Sequence, residues 1–243
     1  MASDRVPRIG DGWAALPRRW LHIDLQGYRE LEGVYATYYG FPYEDLPPIS
    51  IDLDDNCEWL FRLGKPLDDG LPESERERQP FLVRDYASHA SLRLPKSFER
   101  FMSTRELQSR VRSCTDCYLD PGERIVATVG AIPGHLIHFL SDSQSCAHWY
   151  IHILSNGDTA VLESADYYGL RVENSDWIEN PACRLEKIDL TTQDFSCCAS
   201  SFSEFLYRFW IENEIWFALY ENTRRQLTKL ELQYVRHYEA LKR

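Results

Sequence analysis

The sequence predicts an α+β fold: a mainly antiparallel sheet of about four to six strands, packed with N-terminal and C-terminal helices. Two observations lead to it. Short runs rich in β-branched and aromatic residues follow one another from 123 to 164, separated by turn-length gaps that favour antiparallel neighbours. From Phe202 a long run is apolar almost all round, as a buried helix is.

The elements follow in order. Residues 1–20 read as loop, punctuated by Pro7, Gly10, Gly12 and Pro17. Leu25, Tyr28, Leu31, Val34, Tyr35 and Tyr38 have helical spacing, which Gly40 and Pro42 would stop. Residues 52–64 predict a short helix with acids in its first turn and Gly64 at its end. Residues 64–80, with Pro66, Gly70, Pro72 and Pro80 among charges, read as a solvated loop. "LPKSFERFM", 94–102, opens a helix with Pro95 at its first position and Phe98, Phe101 and Met102 on one face. Strands are expected at 123–129, 135–140, 147–154 and 159–164, with the Asn-Gly of "SNGD" turning the last two into a hairpin. Ser201 and Glu204 have capping-box spacing at the head of a helix running to about Tyr220. Asn222 is placed to cap a last helix striped by Leu227, Leu230, Tyr234, Tyr238 and Leu241.

The whole is read as one domain over 1–243, with 1–85 an N-terminal extension containing helices and 201–243 the C-terminal helices. The chain carries a net charge of −11. That balance argues against nucleic acid, whose backbone needs clustered Lys and Arg, and favours cationic partners. No apolar run approaches a bilayer's width, and the start has no signal-like core. The seven Cys lack a framework spacing, so a cytoplasmic protein with reduced thiols and no membrane partner is expected.

The densest chemistry is "SCAHWYIHI", 145–153. Strand alternation puts Ala147, Trp149, Ile151 and Ile153 on one face and His148, Tyr150, His152 and Leu154 on the other. His148 and His152 then lie about 13 Å apart, too far for one zinc ion, and are expected on a half-exposed polar face. Cys114 and Cys117 form a lone C-x-x-C, open to small-residue packing, zinc or redox chemistry. No nucleophile elbow, phosphate loop or calcium loop is present. No cofactor and no catalytic residue are expected.

The order of "LPKSFERFM" before "HLIHFLSDSQSCAHWYIHI" and "GDTAV" resembles the SUKH superfamily, the fold of fungal cell-wall regulators of the Smi/Knr type and of many bacterial immunity proteins. Leu94, Pro95, Phe98 and Phe101 fit its helix pattern, and Trp149 and Gly157 fit its later strand and turn. The resemblance covers 86–220. It implies an α+β protein-binding module without catalytic residues, whose bacterial members neutralise co-encoded toxins. The expectation is therefore a non-enzymatic protein that occludes the active cleft of another protein, a basic toxin being the class its charge fits. Asp142, His148, Tyr150, His152, Glu163, Asp166, Tyr167 and Tyr168, taken as exposed beside the sheet, are the expected partner-binding residues. Two alternatives stand beside this reading. One is a structural subunit of a larger complex. The other is a zinc- or thiol-dependent enzyme using Cys114, Cys117 and the nearby His135 and His148.

Overall fold

The structure, a computed structural model, describes residues 9–25, 27–29, 37–67, 70–71, 92–122, 124–169, 187–220 and 225–241. Its strands are β1 (Arg19–His22), β2 (Tyr39–Pro42), β3 (Tyr118–Leu119), β4 (Val126–Val129), β5 (Gly134–Ser141), β6 (His148–Leu154), β7 (Thr159–Ser164), β8 (Lys187–Asp189) and β9 (Phe195–Ala199). Its helices are α1 (Glu58–Leu63), α2 (Lys96–Met102), α3 (Arg105–Gln108), α4 (Phe202–Tyr220) and α5 (Lys229–Leu241). The fold is α+β.

Seven strands form one sheet in the order β8-β4-β5-β6-β7-β9, with β3 pairing β5 beyond the end of β4. β4 to β7 and β9 pair antiparallel with their neighbours, but β8 runs parallel to β4. The sheet is therefore mixed, which corrects the expected mainly antiparallel sheet of about four to six strands. Parallel pairing needs a long connection, and here the chain passes through three further strands before β8 returns to β4. The β6–β7 hairpin turns at Gly157, whose φ of 90° suits glycine, and Gly157 N–H donates to the Leu154 carbonyl.

β1 and β2 make a separate antiparallel ribbon. The residues entering it cover the outer edge of β9: Arg18 bridges Cys197 in parallel, and Cys197 N–H donates to the Pro17 carbonyl at 2.8 Å. That occupies an edge otherwise open to another chain. The expected helix over 25–38 does not begin as one. Leu25 and Arg29 close a tight turn through Gly27, with φ 78°, and Tyr39–Pro42 is strand; most of what lies between falls outside the described residues. So the N-terminal 85 residues contribute strands as well as α1. The expected loop over 64–80 and the Asn222 cap also fall largely or wholly outside the described residues.

α1 starts as the acidic run suggests. Asp54 accepts from the N–H groups of Asn56, Glu58 and Trp59, satisfying donors the helix start leaves open. α2 docks by Phe98 and Phe101 on Phe202 of α4, with Phe139 of β5 completing an aromatic cluster. α4 lies on the face bearing Trp149, which meets Phe205 and Phe209 edge-on or tilted. At the head of α4 Glu204 N–H donates to Ser201 Oγ at 3.2 Å, as the capping-box spacing predicts. α5 opens with its own box: Glu231 N–H donates to Thr228 Oγ1 and Thr228 N–H to Glu231 Oε2.

Candidate functional site

β6 is buried on both faces, because the face opposite α4 is covered too. Its cover comes from Trp13 over His152, and from Tyr167 and Tyr168 over His148 and Tyr150. The expected half-exposed polar face is therefore not there. Asp142, His148, Tyr150, His152, Glu163 and Tyr168 are buried, and Asp166 and Tyr167 are partly covered. The contact-face expectation fails for a physical reason: segments far away in sequence supply the hydrogen bonds that make burial of these groups affordable.

Each buried group has identifiable partners. Trp13 Nε1–H donates to His152 Nδ1 at 2.9 Å. Nδ1 is thus an acceptor, and the proton sits on Nε2, 2.8 Å from Thr128 Oγ1, which in turn donates to the Ile132 carbonyl at 2.9 Å. Tyr150 O–H donates to the Asp166 carbonyl at 2.8 Å and accepts from Tyr168 N–H at 2.9 Å. Asp142 ties a turn, accepting from Tyr38 O–H at 2.9 Å and from the N–H groups of Gln144 and Cys146. Glu163 takes Arg19 Nε–H at 2.7 Å; burial outweighs that pairing and holds its carboxyl above the ordinary range.

Ser141, His138, His148 and Asp120 come together as the residue types of a nucleophile, base and acid. The Leu140 carbonyl can only accept, so His138 Nε2 carries its proton and donates there at 2.9 Å; the same N–H lies 3.1 Å from Ser141 Oγ. Ser141 Oγ is also 2.9 Å from His148 Nδ1. His138 Nδ1 faces Asp120 at 3.8 Å without a hydrogen bond. A nucleophile must reach its substrate, and Ser141 is 0% exposed. The cluster works as a lock between β5 and β6. Burial pushes His138, His148 and His152 down to about 3, so all three stay neutral.

The C-x-x-C thiols do not join any of these histidines. Cys114 N–H donates to Asn213 Oδ1 at 2.7 Å, and Cys117 Sγ sits near Tyr38 O–H and Thr115 Oγ1. β3, directly after Cys117, pairs with Leu140 and Ser141, whereas His135 lies near the other end of β5, about 20 Å away by strand rise. Burial raises both thiols above the usual value, opposite to what an activated nucleophile needs. Among the described residues no three His, Cys, Asp or Glu side chains converge as metal ligands, and no helix is long and apolar enough to cross a membrane.

Two further polar centres fix α4. Glu212 accepts from Trp20 Nε1–H, Arg29 Nη2–H and Tyr234 O–H at 3.0, 2.8 and 2.9 Å. Burial alone would raise its carboxyl, but Arg29 and these donors hold it below the ordinary value. Glu204 pairs with Arg208 at 2.9 Å, and Arg208 also donates to the Pro47 carbonyl at 2.9 Å.

Two surface features remain open. Glu44, Asp45, Asp52, Asp55 and Glu58 are exposed acids in one stretch of chain. A groove of about 340 Å³ lies where the residues before α2, the β6–β7 turn and the start of α4 meet. Sequence reasoning reads the acids of 52–58 only as the start of a helix and does not place the groove. Comparison with family models, curated proteins and solved structures finds no match to this chain.

Proposed function

We propose that this chain is a non-enzymatic protein-binding module of the SUKH kind, which occludes the active cleft of a cationic partner, an immunity role against a basic toxin being the foremost case. The observation that carries the reading is the docking of α2. Phe98 and Phe101, the aromatics of "LPKSFERFM", pack on Phe202 and build the junction of helix and sheet. The motif behind the resemblance is thus part of the core rather than a coincidence of surface letters.

The side chains that would suit catalysis support the same reading. Ser141, His138, His148 and Cys117 are enclosed and engaged with their neighbours. The contact surface moves from the sheet to the exposed acids Glu44, Asp45, Asp52 and Glu58, which answer a basic partner and speed its encounter. Compartment and partner identity belong to this proposal as well: a reduced, cytoplasmic setting suits the free thiols.

Growth protection tests it. The product of the adjacent coding region should be toxic when expressed alone, and cells expressing it should survive when this chain is co-expressed. Equal killing with and without the chain, at matched expression, would sink the reading.

A further inference from the structure

The groove beside α2 shares Asp55 with the acidic stretch but is lined by Arg93 and Lys96 as well, and its case does not rest on the protein-binding reading. We propose that it binds a small phosphorylated molecule through its phosphate group.

The wall toward α4 supplies backbone donors. α4 has 19 residues, and the N–H groups of Phe202 and Ser203 in its first turn have no acceptor among the described residues, while the groove is lined by both residues. The side chains supply a second, separate signal. Ser97 and Ser203 are only 3% and 6% exposed, both line the groove, and neither hydroxyl has a hydrogen-bond partner among the described residues. Each side chain is nearly buried, yet its hydroxyl is still reached by solvent, so an acceptor entering the groove would meet an unpaired donor.

Charge points to the same ligand. Arg93 and Lys96 line the groove, are exposed, and make no ion pair among the described residues. In a chain of net charge −11 such cations are notable. Asp55 is the acid in the wall and leaves the groove net cationic. Glu204, one residue beyond Ser203, is already answered by Arg208 at 2.9 Å.

The donors are two N–H groups, two hydroxyls, a guanidinium and an ammonium. A phosphate group has enough oxygens to use most of them, whereas a carboxylate has two. A volume of about 340 Å³ falls at the small end of ligand sites and leaves room beyond the phosphate. Leu53 and Leu94 give that remainder an apolar wall.

Calorimetric titration of the full chain with phenyl phosphate and with inorganic phosphate, in chloride buffer, tests the assignment. Saturable 1:1 binding is expected, weakened at least about tenfold by R93A/K96A, which removes both charge-assisted donors. Both side chains are exposed, so this variant should keep its melting temperature. S203A should weaken binding without abolishing it. Tighter binding of phenyl phosphate identifies a monoester as the ligand class; equal affinity identifies the phosphate alone. No saturable binding of either probe, or affinity unchanged in R93A/K96A, would overturn the proposal.

Discussion

Trp13 Nε1–H donates to His152 Nδ1 at 2.9 Å across 139 residues of sequence. One bond fixes the tautomer of a buried imidazole, pins the N-terminal segment to the middle of the sheet and closes its second face. W13F keeps a ring but leaves that nitrogen without its donor and the site underfilled. We expect it to lose about 2–3 kcal/mol in urea unfolding. A loss within about 0.5 kcal/mol, the usual range for surface changes, would mean the segment is not anchored there.

Acid should unfold the protein early. Burial holds His22 down to about 4 and His138, His148 and His152 to about 3, against an ordinary value of about 6.5 when unfolded. Between those values the unfolded chain binds more protons than the folded one. Stability is therefore full above pH of about 6.5 and falls with pH below it, by about 1.4 kcal/mol per histidine for each unit. Thermal melts from pH 7.5 to 4.5 should show Tm dropping steeply below pH 6.5. A flat profile would contradict the neutral, enclosed histidines.

How much of this was legible in the sequence depends on the range of the interaction. The β6–β7 hairpin was readable because Asn156-Gly157 fixes a turn between two alternating runs. The bounds of α4 follow from an apolar run with a cap before it. Alternation also grouped His148, Tyr150 and His152 correctly on one face. What covers that face could not be read, since Trp13 and Tyr167 are set there by tertiary packing rather than local pattern. β9, "FSCCA", is buried throughout and so carries no alternation to detect. The start of α5 was legible and overlooked: Thr228 and Glu231 have capping-box spacing.

Glu212 and Arg29 form a buried pair at 2.8 Å joining α4 to the N-terminal segment. Removing one partner leaves the other charge enclosed. E212Q should cost about 3–5 kcal/mol, and an apolar replacement of both residues should recover most of that loss. Denaturant midpoints of the single and double variants measure it. Equal losses in both would assign the cost to packing alone.

Thiol reactivity should separate the cysteines. Cys57, Cys117, Cys197 and Cys198 are buried, and burial raises their thiols above the ordinary value, Cys57 and Cys197 to about 12. Cys146 is exposed. Brief alkylation of native protein at neutral pH, mapped by mass spectrometry, should modify Cys146 well ahead of those four. Fast labelling of Cys117 instead would revive the C-x-x-C as a chemical site.

Calorimetric binding of the purified chain to the protein encoded beside it, at low and high salt, bears most directly on the binding-module reading. The account predicts tight 1:1 association that weakens as salt rises and falls on charge reversal at Glu44, Asp45 and Asp52. Undetectable association at low salt, with both proteins folded, would contradict it.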